Sequence, residues 1–182
     1  MNNSGDDVIF AGVGGMGALT SGQLLAKAAL KEYKYTTWYP NITTARRNAP
    51  ADCLVRFSNN QIYSQLIHTV GTAIVMNNIQ FDSISKRLSD GGLLFIEKSS
   101  SFKDETEKKF RVIRVPGMEI SSKIANPRVI NIIYLGVYIG VTETISPELI
   151  ELELSQRFNM KEELLDINIR AFNEGIKFGA AH

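Results

Sequence analysis

The sequence has one cysteine, Cys53, and two histidines, His68 and His182, among its 182 residues. One thiol cannot close an internal disulfide or by itself hold an iron–sulfur cluster, and the histidines are too sparse for a familiar metal spacing. The composition therefore predicts that this chain brings no metal site of its own.

The sequence also lacks a charge excess and a long apolar run. Its 20 lysines and arginines against 19 acidic residues leave a net charge of +1, so no overall field favours nucleic acid, an anionic membrane or an acidic substrate. The most apolar stretch, 129–141, is too short to span a bilayer, and residues 1–7 lack the features of a secretion signal. We expect a cytoplasmic protein that binds neither nucleic acid nor a membrane.

The length and the 44% hydrophobic content suit one compact domain, residues 1–182. Near its start, the apolar run 8–11 turns on glycines into an apolar helical pattern. Gly12, Gly14 and Gly17 satisfy G-x-G-x-x-G, in which the first glycine permits a tight turn, the second lets backbone N–H groups approach an anion, and the third lets helix and strand pack closely. Together with Gly15 they predict a nucleotide or phosphate site, an anion seat. The alternative is a glycine turn kept only for packing.

A second predicted strand, 34–39, tests the dinucleotide interpretation. A site for NAD needs a carboxylate about 20 residues beyond the glycines, at the end of this strand, to bind the ribose hydroxyls. The sequence has Trp38-Tyr39-Pro40-Asn41 there instead. This absence argues against NAD.

The segment Asn41 to Pro50 has no apolar period and is predicted to be a loop at the carboxyl end of that strand. It carries Arg46 and Arg47, and Arg56 follows on the next strand. The arginines could contact an anion or a partner through their guanidinium groups. Ordinary ion pairs at a solvated surface are the alternative.

The remaining pattern alternates strands and helices before becoming helical. We predict strands at 52–58, 72–77, 93–96 and 112–115, an Asn59-Asn60 turn into a short strand 61–63, a helix from Phe81 to Leu88, and C-terminal helices opened by Asn126-Pro127, Ser146-Pro147 and Asn159 with Glu162. The sequence therefore predicts a Rossmann-like, doubly wound α/β fold. Its sheet is mostly parallel with one antiparallel edge hairpin, and its C-terminal third is helical.

Two polar residues fall within apolar patterns. Cys53 alternates with Val55 and Phe57 on one face of its strand, which predicts a core residue and no nucleophile. Asn131 lies among apolar neighbours of a helix, and we expect local backbone groups to satisfy its amide.

Short motifs lie in order along the chain from Gly12 to about Gly175. They are Gly12-Val13-Gly14-Gly15-Met16-Gly17; Trp38 and Pro40; Arg47; Val55-Arg56-Phe57-Ser58 with Ile62; Asn77; Gly91-Gly92-Leu93-Leu94; Pro116-Gly117; Asn126-Pro127 with Asn131 and Leu135-Gly136; and Asn168 through Ala171-Phe172 to Gly175. In this order and spacing the chain resembles the gamma subunit, or gamma domain, of the 2-oxoacid:ferredoxin oxidoreductases.

The resemblance has departures. The family commonly has glutamine at Met16, proline at Gln65, and a Tyr-Gly pair followed by Glu-x-Arg-Gly-Gly after Pro40. Of that last pattern only the arginine survives here, as Arg47. The segment after Pro40 is therefore the part of this chain in which the family's role is least preserved.

The resemblance implies a role in oxidative decarboxylation of a 2-oxoacid, such as pyruvate or 2-oxoglutarate, to an acyl-CoA with reduction of ferredoxin. In such complexes thiamine diphosphate and the iron–sulfur clusters sit on other subunits, and coenzyme A accepts the acyl group. The resemblance assigns no cofactor to this chain itself. The chain would assemble with alpha and beta subunits, and with a delta subunit where one exists, and would be inactive alone. It would also self-associate when isolated. The glycine turn could receive a coenzyme A phosphate or only an adventitious anion through its helix N-terminus. Arg47 would contact coenzyme A or a subunit.

Two other functions use the same glycine turn. One is a free-standing enzyme that binds NAD or a flavin, and the other is a regulatory module that binds a phosphate-bearing ligand with the help of Arg47.

Overall fold

The computed structural model describes residues 5–42, 49–101 and 104–182. Its strands are β1 (Asp6–Val13), β2 (Tyr35–Ile42), β3 (Pro50–Ser58), β4 (Val70–Val75), β5 (Leu88–Glu97) and β6 (Arg111–Val115). Its α-helices are α1 (Ala18–Ala29), α2 (Phe81–Ser85), α3 (Asp104–Lys109), α4 (Gly117–Lys123), α5 (Ile130–Thr142), α6 (Pro147–Arg157) and α7 (Glu162–Gly179). Short 3₁₀ turns precede α2 and α5.

The six strands form one sheet in the order β2-β3-β1-β4-β5-β6. Strand β3 is antiparallel to both of its neighbours, whereas β1, β4, β5 and β6 are mutually parallel. The predicted fold class is confirmed, including a mostly parallel sheet, an antiparallel edge hairpin and a helical C-terminal third.

The position predicted for the hairpin is wrong. It is formed by β2 and β3, and residues 61–63 form no strand. Both sides of β3 are already paired, with β1 on one and β2 on the other, so a strand following β3 has no free edge to join. The chain instead leaves the sheet, and Tyr63 is 88% exposed.

The predicted loop from Asn41 to Pro50 is shorter than expected. Strand β2 continues through Pro40 to Ile42, and β3 begins at Pro50. Proline is tolerated within β2 because β2 is an edge strand, where a missing N–H leaves no ladder bond broken. Residues 43–48, which include Arg46 and Arg47, lie outside the described residues.

Three local predictions also need correction. Helix α2 ends at Ser85 rather than Leu88, because Leu88 is buried and pairs with Val70 at the start of β5. Helix α7 begins at Glu162 without a cap from Asn159. The cap at Asn126 is confirmed, since its side chain accepts the Arg128 N–H at 3.0 Å.

Hydrophobic cores lie on both faces of the sheet. The larger core joins the sheet to the helices α1 and α4–α7, and the smaller one includes Ile84 of α2. Helix α5 is buried along nearly all of its length, which explains why residues 129–141 are apolar on every face. Within the described ranges, no helix is long and apolar enough to cross a membrane.

Helices α5 and α7 pack against each other through two G-x-x-x-G pairs, Gly136 with Gly140 and Gly175 with Gly179. A Cβ atom on Gly175 would lie 3.0 Å from the Gly136 Cα, and one on Gly179 would lie 3.0 Å from the Gly140 Cα. Because both pairs match in the same order, the two helices run in the same direction. Their backbones are in direct contact along this seam.

At the amino ends of the strands, Asp6 is a half-buried carboxylate that forms no ion pair with a lysine, arginine or histidine of the described ranges. Its Oδ2 accepts hydrogen bonds from Thr72 Oγ1 at 2.9 Å and Tyr138 Oη at 3.0 Å, and its Oδ1 accepts the Asp7 N–H at 2.7 Å. Burial is the largest influence and raises the pKa of the Asp6 carboxyl above its usual 3.8.

Replacing Asp6 with asparagine should change how stability depends on pH. Above the unfolded-state pKa of 3.8 the native chain retains a proton that the unfolded chain has released, so the free energy of unfolding of the wild type falls as pH rises toward neutrality. Asp6→Asn removes this fall, by about 1.4 kcal/mol for each unit of pKa elevation. Urea unfolding across this pH range would show it. The exposed control Asp166→Asn should follow the wild-type curve, and so would Asp6→Asn if the Asp6 pKa were not raised.

Candidate functional site

The glycine turn lies at the edge of the sheet where the parallel strands end. Gly12 is still within β1, and Gly17 directly precedes α1. Gly15 and Gly17 have φ values of +97° and +81°, a left-handed conformation that side chains rarely adopt. The sequence therefore correctly places the glycines between a strand and a helix.

The N-terminus of α1 has the properties of an anion seat. Its first turn contains no acidic residue, and its N-cap, Gly17, makes no side-chain cap. The first N–H groups of a helix have no partner within it, and the helix dipole makes this end positive. Gly14 and Gly15 are exposed beside it, so an anion can approach.

The amides of the turn itself are partly committed. The Gly14 N–H donates to the Ala49 carbonyl oxygen at 2.9 Å, and the Met16 N–H donates to that of Val13 at 3.0 Å. Gly14 therefore joins the turn to the start of β3. The N–H groups of the first turn of α1 are better placed for an anion than the Gly14 N–H, which the sequence favoured.

Gly12 and Gly17 also act differently from the roles predicted for them. A Cβ on Gly12 would lie 3.5 Å from the Met16 Cβ, an ordinary contact. The Gly12 carbonyl accepts a hydrogen bond from Gln80 Nε2, which also donates to the Ala51 carbonyl at 3.0 Å. A Cβ on Gly17 would lie 2.7 Å from the Asn131 Cγ, so Gly17 allows α1 to approach α5 rather than a strand.

Asn131 is satisfied by distant residues and not by local backbone, which corrects the prediction for it. Its Nδ2 donates to the Gly17 carbonyl at 3.2 Å and to Ser21 Oγ at 3.0 Å, and Ser21 Oγ donates back to the Asn131 carbonyl at 3.0 Å. The first turn of α5 thus crosses the first turn of α1. This contact holds the candidate anion seat in place.

Helix α4 begins at the same edge of the sheet, but the Glu97 side chain already occupies its N-terminus. Glu97, the last residue of β5, accepts the Met118 N–H at 3.3 Å and the Tyr134 hydroxyl at 3.2 Å through Oε2. Burial raises the pKa of Glu97. Neither Glu97 nor Gln80 was predicted as a site residue. Glu97 ends the apolar strand β5 and Gln80 follows the apolar strand β4, and these positions are the signal that could have identified them.

The sheet order adds a second argument against a dinucleotide site. In the usual dinucleotide-binding order β2 is the neighbour of β1, so that a carboxylate at its end reaches the ribose. Here β3 lies between them, and Ala49 and Pro50 stand beside the glycine turn.

The other residues that the sequence singled out have different outcomes in the structure. Arg47 lies outside the described residues. Arg56 pairs through Nε with Asp7 Oδ1 at 2.6 Å, which supports the ion-pair alternative for this residue. Cys53 is fully buried, and desolvation raises the pKa of its thiol to about 12, so it lies in the core as predicted. No group of three or more His, Cys, Asp or Glu in the described ranges could hold a metal ion.

Comparison with known proteins identifies sequence relatives over most of the chain. The ketoisovalerate oxidoreductase subunit VorA of Methanothermobacter thermautotrophicus is 29% identical over 94% of this chain, and the chain spans 36% of that protein. The pyruvate synthase subunit PorC of Methanocaldococcus jannaschii is 26% identical over 94% of this chain and 97% of PorC.

Solved structures share the fold. The pyruvate oxidoreductase subunit PORC of Thermotoga maritima superposes with a TM-score of 0.79, at 24% identity, over 96% of both chains. A 2-oxoglutarate:ferredoxin oxidoreductase from Magnetococcus marinus, with 2-oxoglutarate, coenzyme A and succinyl-CoA bound, has a TM-score of 0.89 at 22% identity. The superposition covers 98% of this chain and 32% of the Magnetococcus marinus chain.

The model of the pyruvate ferredoxin/flavodoxin oxidoreductase family matches residues 7–178. The match covers nearly the whole chain, including the glycine turn, the sheet and the α5–α7 seam. The chain therefore belongs to the pyruvate ferredoxin/flavodoxin oxidoreductase family, in agreement with the resemblance of its motifs.

Proposed function

We propose that this chain is the gamma subunit of a 2-oxoacid:ferredoxin oxidoreductase complex. The observation that carries the proposal is the family match over residues 7–178, together with the match to PorC, which covers nearly the full length of both proteins. The complex would oxidatively decarboxylate a 2-oxoacid to an acyl-CoA and carbon dioxide, passing two electrons to ferredoxin.

Within this complex the chain would assemble and shape the enzyme without covalent chemistry of its own. An iron–sulfur cluster does not fit it, because cluster ligation takes several thiolates and the one cysteine, Cys53, is in the core with a raised pKa. Thiamine diphosphate and the clusters would belong to the alpha, beta or delta subunits. The complex would work in the cytoplasm.

The carboxyl edge of the sheet is our candidate for the subunit contact. Ile79 after β4 and Met118 after β6 are 69% and 62% exposed at this edge, where β1 also ends in the exposed glycine turn. In the proposed complex a partner subunit would cover these apolar side chains. An isolated chain would bury them by self-association.

Co-purification tests the proposed assembly. A tagged copy expressed in its native host should carry alpha and beta subunits through purification, with the absorbance of iron–sulfur clusters supplied by those subunits. The purified complex should reduce ferredoxin only when a 2-oxoacid and coenzyme A are both present. Recovery of the chain alone, without clusters or activity, would contradict the proposal.

We further propose that the turn formed by Gly12, Gly14, Gly15 and Gly17 receives a phosphate group of coenzyme A at the N-terminus of α1. The support is the uncapped first turn of α1, which has no acidic residue, whereas Glu97 already fills the N-terminus of α4. In the sequence, Arg47 lies between the end of β2 and the start of β3. It would contact coenzyme A or a neighbouring subunit.

A carboxylate placed in this seat should compete with the phosphate. Thr20 is the third residue of α1, where glutamate can reach back to the first N–H groups and stabilises a helix. In the complex, Thr20→Glu should raise KM for coenzyme A about tenfold, equivalent to about 1.4 kcal/mol, with kcat little changed. The exposed control Asn173→Asp adds the same charge on α7 and should have no effect.

Calorimetry on the variant chains separates this role from the alternatives. Coenzyme A should bind the wild type and Asn173→Asp, and should bind Thr20→Glu more weakly. Equal affinity for Thr20→Glu would contradict a seat at α1. Binding of NADH, NADPH or FMN in place of coenzyme A would favour the dinucleotide or flavin alternative.

A further inference from the structure

A cavity of about 540 Å³ lies at the opposite edge of the sheet from the glycine turn. It is bounded by the residues that follow α1, by the ends of α5 and α7, and by the start of α6. The Tyr33 hydroxyl donates to the Thr144 carbonyl at 2.7 Å and closes one wall. Neither the family motifs nor the proposed coenzyme A seat involves this cavity.

The lining of the cavity is more apolar than polar. Ile176 is its accessible isoleucine, whereas Ile139 and Ile145 are almost fully buried behind it, and Gly140 leaves room beside them because it is part of the seam between α5 and α7. The volume falls within the range of pockets for small organic ligands, roughly 300–1,000 Å³. A ligand of this cavity would therefore carry an aliphatic or other apolar group.

The charged side chains that line the cavity are all acidic. They are the exposed residues Glu32, Glu143 and Glu148, and no described lysine, arginine or histidine lines the cavity. The Glu32 carboxylate accepts the Ser146 N–H at 3.2 Å, and Glu143 and Glu148 form no ion pair among the described residues. A cation entering the cavity would meet two carboxylates without a countercharge.

Helix ends add to this negative field. Helices α1, α5 and α7 run in the same direction and all end at this edge, each contributing about half a negative charge. Helix α6 begins here with its positive end. That end is offset by Pro147, which has no N–H, by Glu148 in the first turn and by the Glu32 carboxylate.

We propose that this cavity binds a small organic cation, an ammonium group carried on an apolar body, with the alkyl part against Ile176 and the ammonium near Glu143 and Glu148. An inorganic cation would stay hydrated beside these exposed carboxylates and would gain nothing from the apolar part of the lining. The acidic lining excludes anions of the same shape.

Titration with n-hexylammonium tests the proposal on the full chain. Amide signals of Gly140, Ile145 and Ile176 should shift saturably, with a Kd on the order of 1 mM. Hexanoate, which has a similar length and the opposite charge, should bind at least about tenfold more weakly. Absence of saturable shifts at these residues, or equal binding of hexanoate, would overturn the assignment.

Glu143 offers a variant that cannot be dismissed as misfolded. Its φ is +49°, a conformation that asparagine and glycine adopt more readily than glutamate. Glu143→Asn should therefore retain or raise thermal stability while weakening hexylammonium binding about fivefold. The control Glu162→Gln removes a charge at the far end of α7 and should bind as the wild type does. Unchanged affinity in Glu143→Asn would contradict the proposed ammonium position.

The same titration on the purified complex identifies the source of the cation. Retained binding supports a small-molecule site. Loss of binding in the complex would overturn it and show that a neighbouring subunit covers the cavity.

Discussion

Replacing Gly175 with alanine should lower the free energy of unfolding by about 2 kcal/mol or more. Alanine favours a helix over glycine by about 1 kcal/mol, but here its Cβ would press into the Ile133 carbonyl oxygen and lie 3.0 Å from the Gly136 Cα. Both neighbours are backbone atoms of α5, so neither can rotate away. Helix α7 has to move outward, and forced overpacking of this kind typically costs 1–3 kcal/mol, occasionally more.

Urea unfolding monitored by circular dichroism measures this effect. The matched control is Glu174→Ala, on the same helix at an exposed position, which should change stability by less than about 0.5 kcal/mol. If Gly175→Ala is as stable as Glu174→Ala, the two helix backbones are not in contact.

Replacing Gly17 with alanine should destabilise the chain by about 2–4 kcal/mol and weaken coenzyme A binding with it. Two causes add. The φ of +81° costs a non-glycine residue about 1–2 kcal/mol, and the new Cβ would lie 2.7 Å from the buried Asn131 side chain. The α1–α5 crossing would open at the candidate anion seat.

Gly15 and Asn131 let the two causes be measured separately. Gly15 has a φ of +97° with no atom near its virtual Cβ, so Gly15→Ala should show the backbone cost alone. In an Asn131→Ala background the contact is gone, and Gly17→Ala should then cost no more than Gly15→Ala. Equal costs for Gly17→Ala in both backgrounds would show that the Asn131 contact contributes nothing.

Much of the sheet could be predicted because its central strands contain apolar runs. Runs 8–11 and 93–96 lie within β1 and β5, and 72–77 overlaps β4, which ends at Val75. Such strands are buried on both faces, so burial alone marks them in the sequence. Residues 112–115, which include Arg114, lie in the edge strand β6. The hairpin partner could not be predicted this way, because pairing depends on which edge of β3 is free, and β1 and β2 occupy both edges.

The sequence predicts where the glycines of the candidate site lie, but it does not predict the side-chain contacts that hold the site together. A strand, a glycine turn and a helix are local, and the pattern from Gly12 to Gly17 specifies them. The contact between Gly17 and Asn131 joins residues 114 positions apart, so no local pattern contains it. The G-x-x-x-G pairs of α5 and α7 were visible in the sequence, but each has meaning only once the other helix is known to pack on it.

The hydrogen bond between Gly14 and Ala49 has a thermodynamic consequence. Ala49 follows residues 43–48, and Ile42 before them pairs with Ala51, which in turn pairs with Gly12. The described residues on either side of that segment are therefore connected to the glycine turn, Ala49 directly and Ile42 through Ala51. If a contact made by residues 43–48 shifts Ala49 and so alters affinity at the turn, a ligand at the turn must alter the strength of that contact by the same factor. Subunit assembly and ligand binding would then be linked reciprocally, through a single amide.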